Sequence, residues 1–335
     1  MARQYGMPYQ GSKSKIADWV LAHLPAGECF VDLFGGGGAM SHAALLSGKY
    51  DRVIYNEINP VVANGFNMAI HGQFKGEDRW ISREDFAALR ESDPYVAICW
   101  SFGNDLKSYL YSPYVEERKK AMHALIFWAD PEPLISWNLP KCSPDMWREV
   151  ANIPGRQARR LAVRRAMDGA QLESLERLER LQSLERLESL ERLERLQSLE
   201  RLQSLERLER LERLESLQSL ERLERLVVFN TDYQDVCFQT PHSDVVLYCD
   251  IPYRKTTSYG IAFDYERFYD WALSYEAPVF ISEYWMPDEF PCIAIKGHYS
   301  SLAAYTVSRA VEKIFTNPAG AKLNQVGWQM EFTLC

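Results

Sequence analysis

A hydrophobic run from Val245 to Cys249 ends in Asp250-Ile251-Pro252-Tyr253, the pattern of a buried strand that delivers an acid, a proline and a tyrosine at its tip. A similar run, Cys29 to Phe34, leads into Gly35-Gly36-Gly37-Gly38, then into "AMSHAALLSG", which reads as a helix ending at Gly48. "DRVIYNEINP" reads as a second strand ending near Asn56-Glu57. Strand, glycine turn, helix and strand in this order open a doubly wound parallel sheet, so the fold class predicted is α/β and Rossmann-like. Further strands are predicted in "RLVVFNTDY", "SDVVLYCDIPY" and "APVFISEYWMP", with β-like patterning in the last 40 residues. The sheet is therefore split, its first part preceding residue 90 and its second following residue 226.

Between the two halves the pattern changes twice. Residues 91–171 are rich in aromatics and proline and locally basic, with Arg156, Arg159, Arg160, Arg164 and Arg165 inside "RQARRLAVRR". On a helix Arg156, Arg160 and Arg164 share a face, which suits a phosphate backbone and equally suits a solvated surface. Residues 172–225 are eighteen triplets, each beginning with leucine: LER eleven times, LQS four and LES three. Leu, Glu, Arg and Gln are good helix formers, and Glu-Arg pairs such as Glu176 and Arg180 recur at i, i+4. A leucine every third residue steps by about 300° on an α-helix, so the leucines circle the helix and form no straight stripe. One rod of this length would span about 81 Å, and a broken helix, a hairpin, bundle or solenoid-like stack, is the expectation instead. Because whole triplets can be gained or lost in frame, the expectation is that repeat number tunes how residues 91–171 sit against the sheet. The predicted organisation is a catalytic domain over residues 1–90 and 226–335, a recognition segment at 91–171 and the repeat at 172–225.

Composition narrows the classes. At 335 residues and 47% hydrophobic, the chain can bury one large core or two smaller ones. Its seven cysteines form no C-x-x-C pair and no histidine pair has ligand spacing, so no metal site is expected, and reduced thiols in a cytoplasm are the plain reading. No apolar run approaches 18 residues, so no membrane span is expected. The net charge of −8 argues only mildly against a nucleic-acid partner, because basic residues cluster.

The chemistry-bearing residues lie at strand ends. Asp32-Leu33-Phe34 followed by four glycines lets a backbone approach a ligand closely. Glu57 lies 22 residues after Gly35, where an acid commonly binds the ribose hydroxyls of a nucleoside cofactor. That much also fits a nicotinamide enzyme. Asp250-Ile251-Pro252-Tyr253 points elsewhere, to methylation of an exocyclic amine. The Asp250 carboxylate and the Ile251 carbonyl can orient an amino group, Pro252 stiffens the turn, and Tyr253 can stack on a flipped base.

"PYQGSKSKI", "FVDLFGGGGAM", "YNEINP", "DYQDV" with "DVVLYCDIPY", and "ISEYWMP" together make the sequence resemble the Dam-type DNA adenine methyltransferases, especially phage-type members. The resemblance spans nearly the whole chain except the repeat. It implies transfer from S-adenosylmethionine to adenine N6 of double-stranded DNA, and a seven-stranded sheet with a recognition domain inserted before the catalytic motif. It assigns Tyr9 and Lys13 to the methionine part of the cofactor. Asp32, Phe34, Gly35 and Gly37 fall on its cofactor turn, Glu57 on the ribose, and Asp232 and Tyr233 near its adenine. Asp250 and Tyr253 become the catalytic acid and the stacking aromatic. Lys255, Thr256, Thr257 and Tyr259, which follow immediately, fit a lining of the base pocket and equally an ordinary polar loop. Ile251 departs from the family's usual first proline, but only a main-chain carbonyl is needed there. The DNA-binding candidates are Arg156, Arg159, Arg160, Arg164, Lys255 and Tyr259. Cytosine N4 methylation uses the same amine chemistry, and a catalytically idle DNA-binding or scaffold protein that self-associates through the repeat is the reading from another class.

Overall fold

A computed structural model describes residues 4–137, 143–179, 209–217, 223–254, 263–300 and 308–323. The chain divides into two compact units, one of Met1–Phe74, Glu91–Ile98 and Glu212–Cys335, the other of Lys75–Arg90 and Cys99–Leu211.

The first unit is built on a seven-stranded sheet in the order β3-β2-β1-β4-β5-β7-β6. The strands are β1 (Gly27–Asp32), β2 (Tyr50–Asn56), β3 (Leu226–Phe229), β4 (Val245–Cys249), β5 (Val279–Glu283), β6 (Cys292–Ser300) and β7 (Ser308–Thr316). β3, β2, β1, β4 and β5 run parallel, and β7 joins β5 antiparallel, with β6 as its antiparallel neighbour. The central strands read as unbroken hydrophobic runs because both faces are covered. Val31 and Leu247 pack with Phe268 and Ala272 of the helix Tyr265–Ser274 on one face. Phe30 stacks on Tyr248 at 6.1 Å on the other. The order of the strands reverses between β1 and β4, where open α/β sheets bind their ligands.

Helix α1 (Ala17–Ala22) follows a 3₁₀ turn at Lys13–Lys15, helix α2 (Ala39–Ser47) follows the glycine turn, and α3 (Pro60–Ile70) follows β2. Asn59 caps α3, accepting from Val61 N at 3.1 Å with Pro60 at the first helical position. α2 ends on Gly48 in the left-handed region, the stop that the sequence predicts.

The second unit is helical. It contains α4 (Arg83–Leu89), α6 (Glu116–His123), α7 (Glu132–Ser136), α8 (Pro144–Ala151) and α9 (Arg156–Glu179), α5 (Pro94–Cys99) standing at the unit boundary. Leu125, Leu134, Trp147, Val150 and Val163 make its core. The unit boundaries differ from the composition shifts. Residues 75–90 go with the helical unit because Tyr109 Oη donates to the Ile81 carbonyl at 2.7 Å and Arg83 donates to the Tyr111 carbonyl at 2.5 Å. Residues 91–98 go with the sheet because Ile98 is buried against Gly65 of α3. The first repeat residues, 172–179, continue α9, residues 209–216 are helical, and the stretch between lies outside the described residues. Among the described residues no helix is long and apolar enough to cross a membrane, and no group of three or more His, Cys, Asp or Glu could hold a metal ion.

Candidate active site

Four acids meet at the carboxyl edge of the parallel strands: Asp32 ends β1, Glu57 follows β2, Asp250 follows β4 and Glu283 ends β5. Asn56 ties three loops together. Its Nδ2 donates to the Leu33 and Thr231 carbonyls at 3.1 Å each, and its Oδ1 accepts from Thr231 N at 3.1 Å.

The glycines between β1 and α2 are required by packing. A Cβ on Gly35 would stand 2.3 Å from the Tyr55 ring, and one on Gly37 would stand 2.7 Å from the Met7 carbonyl. Gly38, at φ +71°, also meets the Phe66 ring, at 2.2 Å. Tyr9 lies against Gly36, and Tyr55 Oη donates to the Gly36 carbonyl at 2.8 Å. Glu57, buried, accepts from Gly36 N at 2.9 Å through Oε2 and from Asn59 N at 2.8 Å through Oε1. Its carboxyl titrates above the usual range because burial disfavours the charge. Asp32 faces α2, where its Oδ2 accepts from Ser41 N at 3.1 Å and Ser41 Oγ at 2.7 Å. Burial pushes Asp32 up to about 7, and the charges of Asp250 and Glu57 add to the effect.

Lys13 reaches the residues that follow β4. Its Nζ pairs with Asp250 Oδ1 at 2.7 Å and with Glu312 Oε1 at 3.6 Å, and lies 4.6 Å from the centre of the Tyr253 ring. Tyr253 Oη donates to Glu312 Oε1, and its ring meets Tyr284 edge-on at 4.5 Å. Burial pushes the Asp250 carboxyl up to about 6; Lys13 opposes that rise and Glu312 adds to it. Glu283 is pushed up to about 7, again mainly by burial. Its Oε1 accepts from Tyr284 N at 2.6 Å, and its buried Oε2 has no hydrogen-bond partner among the described residues.

Ile251 has a structural use for its departure from proline. Its side chain is 1% exposed and belongs to the core beneath β4 and β5. The Pro252 carbonyl accepts from Tyr265 Oη at 2.8 Å, which pins the turn. Phe34 and Tyr233 lie together at 5.3 Å, with Tyr233 buried against Phe268 and Trp271. Asp232 stays half-buried, accepting from Gln234 N at 3.0 Å and pairing with Arg267 at 3.4 Å. Lys255, Thr256, Thr257 and Tyr259 lie outside the described residues.

The basic helix divides its arginines. Arg159 donates to the carbonyls of Ile126 at 2.8 Å, Ile153 at 3.0 Å and Phe127 at 3.4 Å. Arg156 lies over the Phe127 ring at 5.8 Å, and Arg160 pairs with Glu209 at 3.0 Å. Arg164 is exposed. Arg159 therefore spends its donors inside the helical unit.

Sequence reasoning did not single out Glu283, Glu312 or Ser41. Glu312 is buried on β7 beside Ile314, Phe315 and Thr316, an acid among core positions.

A sheet in the order 3-2-1-4-5-7-6 with an antiparallel seventh strand, carrying acids beside a glycine turn, is consistent with a methyltransferase fold. Residues 9–99 match the family model described as D12 class N6 adenine-specific DNA methyltransferase, and the chain is on that ground a DNA adenine-N6 methyltransferase. The match takes in Tyr9, Lys13, Asp32, the glycine turn and Glu57. No curated protein sequence matches the chain.

The residues present fit the methyl donor that this family implies, S-adenosylmethionine. The glycine turn has no room for Cβ atoms, an acid follows β2 at the ribose-binding position, and Lys13 offers a cation beside Asp250.

Proposed function

We propose that the protein is a site-specific, Dam-type enzyme that moves the methyl group of S-adenosylmethionine to N6 of an adenine flipped out of double-stranded DNA. The observation that carries this reading is the junction of Lys13, Asp250 and Tyr253 beside the glycine turn, at the point where the strand order reverses. When bound, the cofactor supplies an electrophilic sulfonium methyl.

The chain's own residues do the rest. Glu57 and the turn at Gly35–Gly37 hold the nucleoside part, while Tyr9 and Lys13 hold the methionine part. Tyr253 presents its ring to the flipped base, anchored through its hydroxyl on Glu312. The Asp250 carboxylate and the Ile251 carbonyl accept from the adenine amino group and turn its lone pair toward the methyl. With its pKa pushed up to about 6, Asp250 is basic enough to take the proton that the methylated amine releases near neutral pH. No covalent enzyme intermediate is needed. Arg164 and its neighbours on α9 contact phosphates and set register.

The test is transfer from labelled S-adenosylmethionine to unmethylated bacterial DNA, with the product digested to nucleosides and identified by mass spectrometry. N6-methyladenine supports the reading. N4-methylcytosine keeps the mechanism and overturns the substrate. Cofactor binding without transfer overturns the reaction and favours a binding protein.

A further inference from the structure

The last units of the triplet repeat reach the cofactor side of the sheet unit. Leu214 and Leu217 are buried, and between the catalytic segments Arg213 turns inward, its Nε donating to the Gly6 carbonyl at 2.7 Å and its Nη2 to the Tyr5 carbonyl. Residues 5–7 form no ladder, since Gly6 sits at φ +65° with Gly37 O 2.4 Å from where its Cβ would be. Their polar backbone groups therefore need individual partners. Tyr5 N donates to Ser14 Oγ at 2.7 Å, Gly6 N to His42 Nδ1 at 3.0 Å, and Met7 N to the Gly37 carbonyl at 2.6 Å. Arg213 serves the carbonyls of the same segment. The segment then runs directly to Tyr9, which lies against Gly36, and to Lys13, which holds Asp250.

We propose that Arg213, contributed by the repeat, is a positioning residue that braces residues 5–13 over the glycine turn and so sets the affinity for the cofactor. The inference rests on the proposed function for the identity of that cofactor. A planar guanidinium suits the task because it reaches two adjacent carbonyls from one side chain, which an ammonium does with poorer geometry. Removing it takes a charged donor from two carbonyls in a covered segment, and the segment loosens around them. The repeat supplies arginines at the third position of most of its triplets, so the brace is drawn from the repeat's own composition. The LER triplet ending in Arg213 is preceded by two identical triplets, ending in Arg207 and Arg210. Loss of one such unit in frame leaves the same residues leading into Leu214.

The test compares full-length wild type with Arg213→Met and Arg213→Lys by calorimetric titration of S-adenosylmethionine, and by hydrogen exchange without cofactor. Arg213→Met is expected to weaken binding about tenfold, to speed exchange of the amides of residues 5–16 by a similar factor, and to leave kcat at saturating cofactor within about twofold. Exchange at Leu247 and Phe280 in the sheet centre stays as in wild type. Arg213→Lys falls between. Unchanged cofactor affinity with unchanged exchange in residues 5–16 overturns the brace, and so does exchange raised equally throughout the sheet, which marks a general loss of stability. If Arg213→Met does not fold, Arg213→Lys carries the same comparison. If wild type itself binds no cofactor, the reading of the site fails, and the exchange data alone decide whether Arg213 holds the segment.

Discussion

Glu312 offers the sharpest handle on the electrostatics of the site. Glu312→Gln removes one negative charge while leaving an oxygen that can accept from Tyr253 Oη. Both Asp250 and Glu312 touch Lys13 Nζ, at 2.7 and 3.6 Å, so the two carboxylate oxygens lie no more than about 6 Å apart. Two like charges at about 6 Å repel by about 0.7 kcal/mol in bulk water and about 2.8 kcal/mol at an effective dielectric of 20. At 1.36 kcal/mol per unit, the substitution lowers the Asp250 pKa by roughly half to two units. The sign follows from charge: ionised Asp250 is disfavoured by Glu312, so losing Glu312 favours ionisation. If ionised Asp250 is the working form, wild-type kcat/KM falls as pH drops through about 6. In Glu312→Gln that acid limb moves down by roughly one unit. The assay is initial-rate methyl transfer between pH 4.5 and 8 with subsaturating DNA. A limb that stays at its wild-type position, or moves up, refutes the coupling between Glu312 and Asp250.

Tyr253→Phe retains the ring and loses the hydroxyl's bonds, the one to Glu312 among them, so the KM for DNA is expected to change little, whereas Tyr253→Ala loses stacking worth about 1–3 kcal/mol and raises that KM about ten- to hundredfold. Gly38→Ala, strained at φ +71° and with its Cβ 2.2 Å from Phe66, is expected to cost about 2–4 kcal/mol in urea unfolding. Gly76→Ala, at φ +79° with nothing within 4 Å, costs only about 1 kcal/mol; equal losses contradict the packing argument. Arg164→Ala is expected to weaken DNA binding and to flatten its salt dependence by about one charge, while Arg159→Ala lowers thermal stability first, because its guanidinium serves backbone carbonyls. Binding and melting curves for the two variants separate these roles.

The half of the fold that repeats a buried hydrophobic run was readable, because parallel strands covered on both faces announce themselves without alternation. Cys29–Phe34 and Val245–Cys249 became the central neighbours β1 and β4. The glycine turn and the acids after β2 and β4 were readable too, since each sits at the end of such a run. Glu312 was not, because its partner Lys13 is 299 residues earlier and only the closing of β7 against β5 brings the two together. Tyr233, expected near the cofactor adenine, packs among Phe34, Phe268 and Trp271. Nothing local in the sequence announces that packing. The arginine cluster shows the same limit: one charge count covers Arg159, whose donors are spent inside the unit, and Arg164, which is exposed. In the repeat, a period of three gave no face, and Arg213 closes the same LER triplet as Arg207 and Arg210.

The central claim is that methyl transfer happens where Asp250 meets Lys13 at the edge of the sheet. Single-turnover transfer to DNA by Asp250→Asn, beside the affinity of the same variant for S-adenosylmethionine, tests it most directly. The account predicts a rate reduced about a hundredfold or more with cofactor affinity changed only a few-fold, because the carboxylate acts on the amine. A variant that transfers methyl groups at the wild-type rate would contradict it.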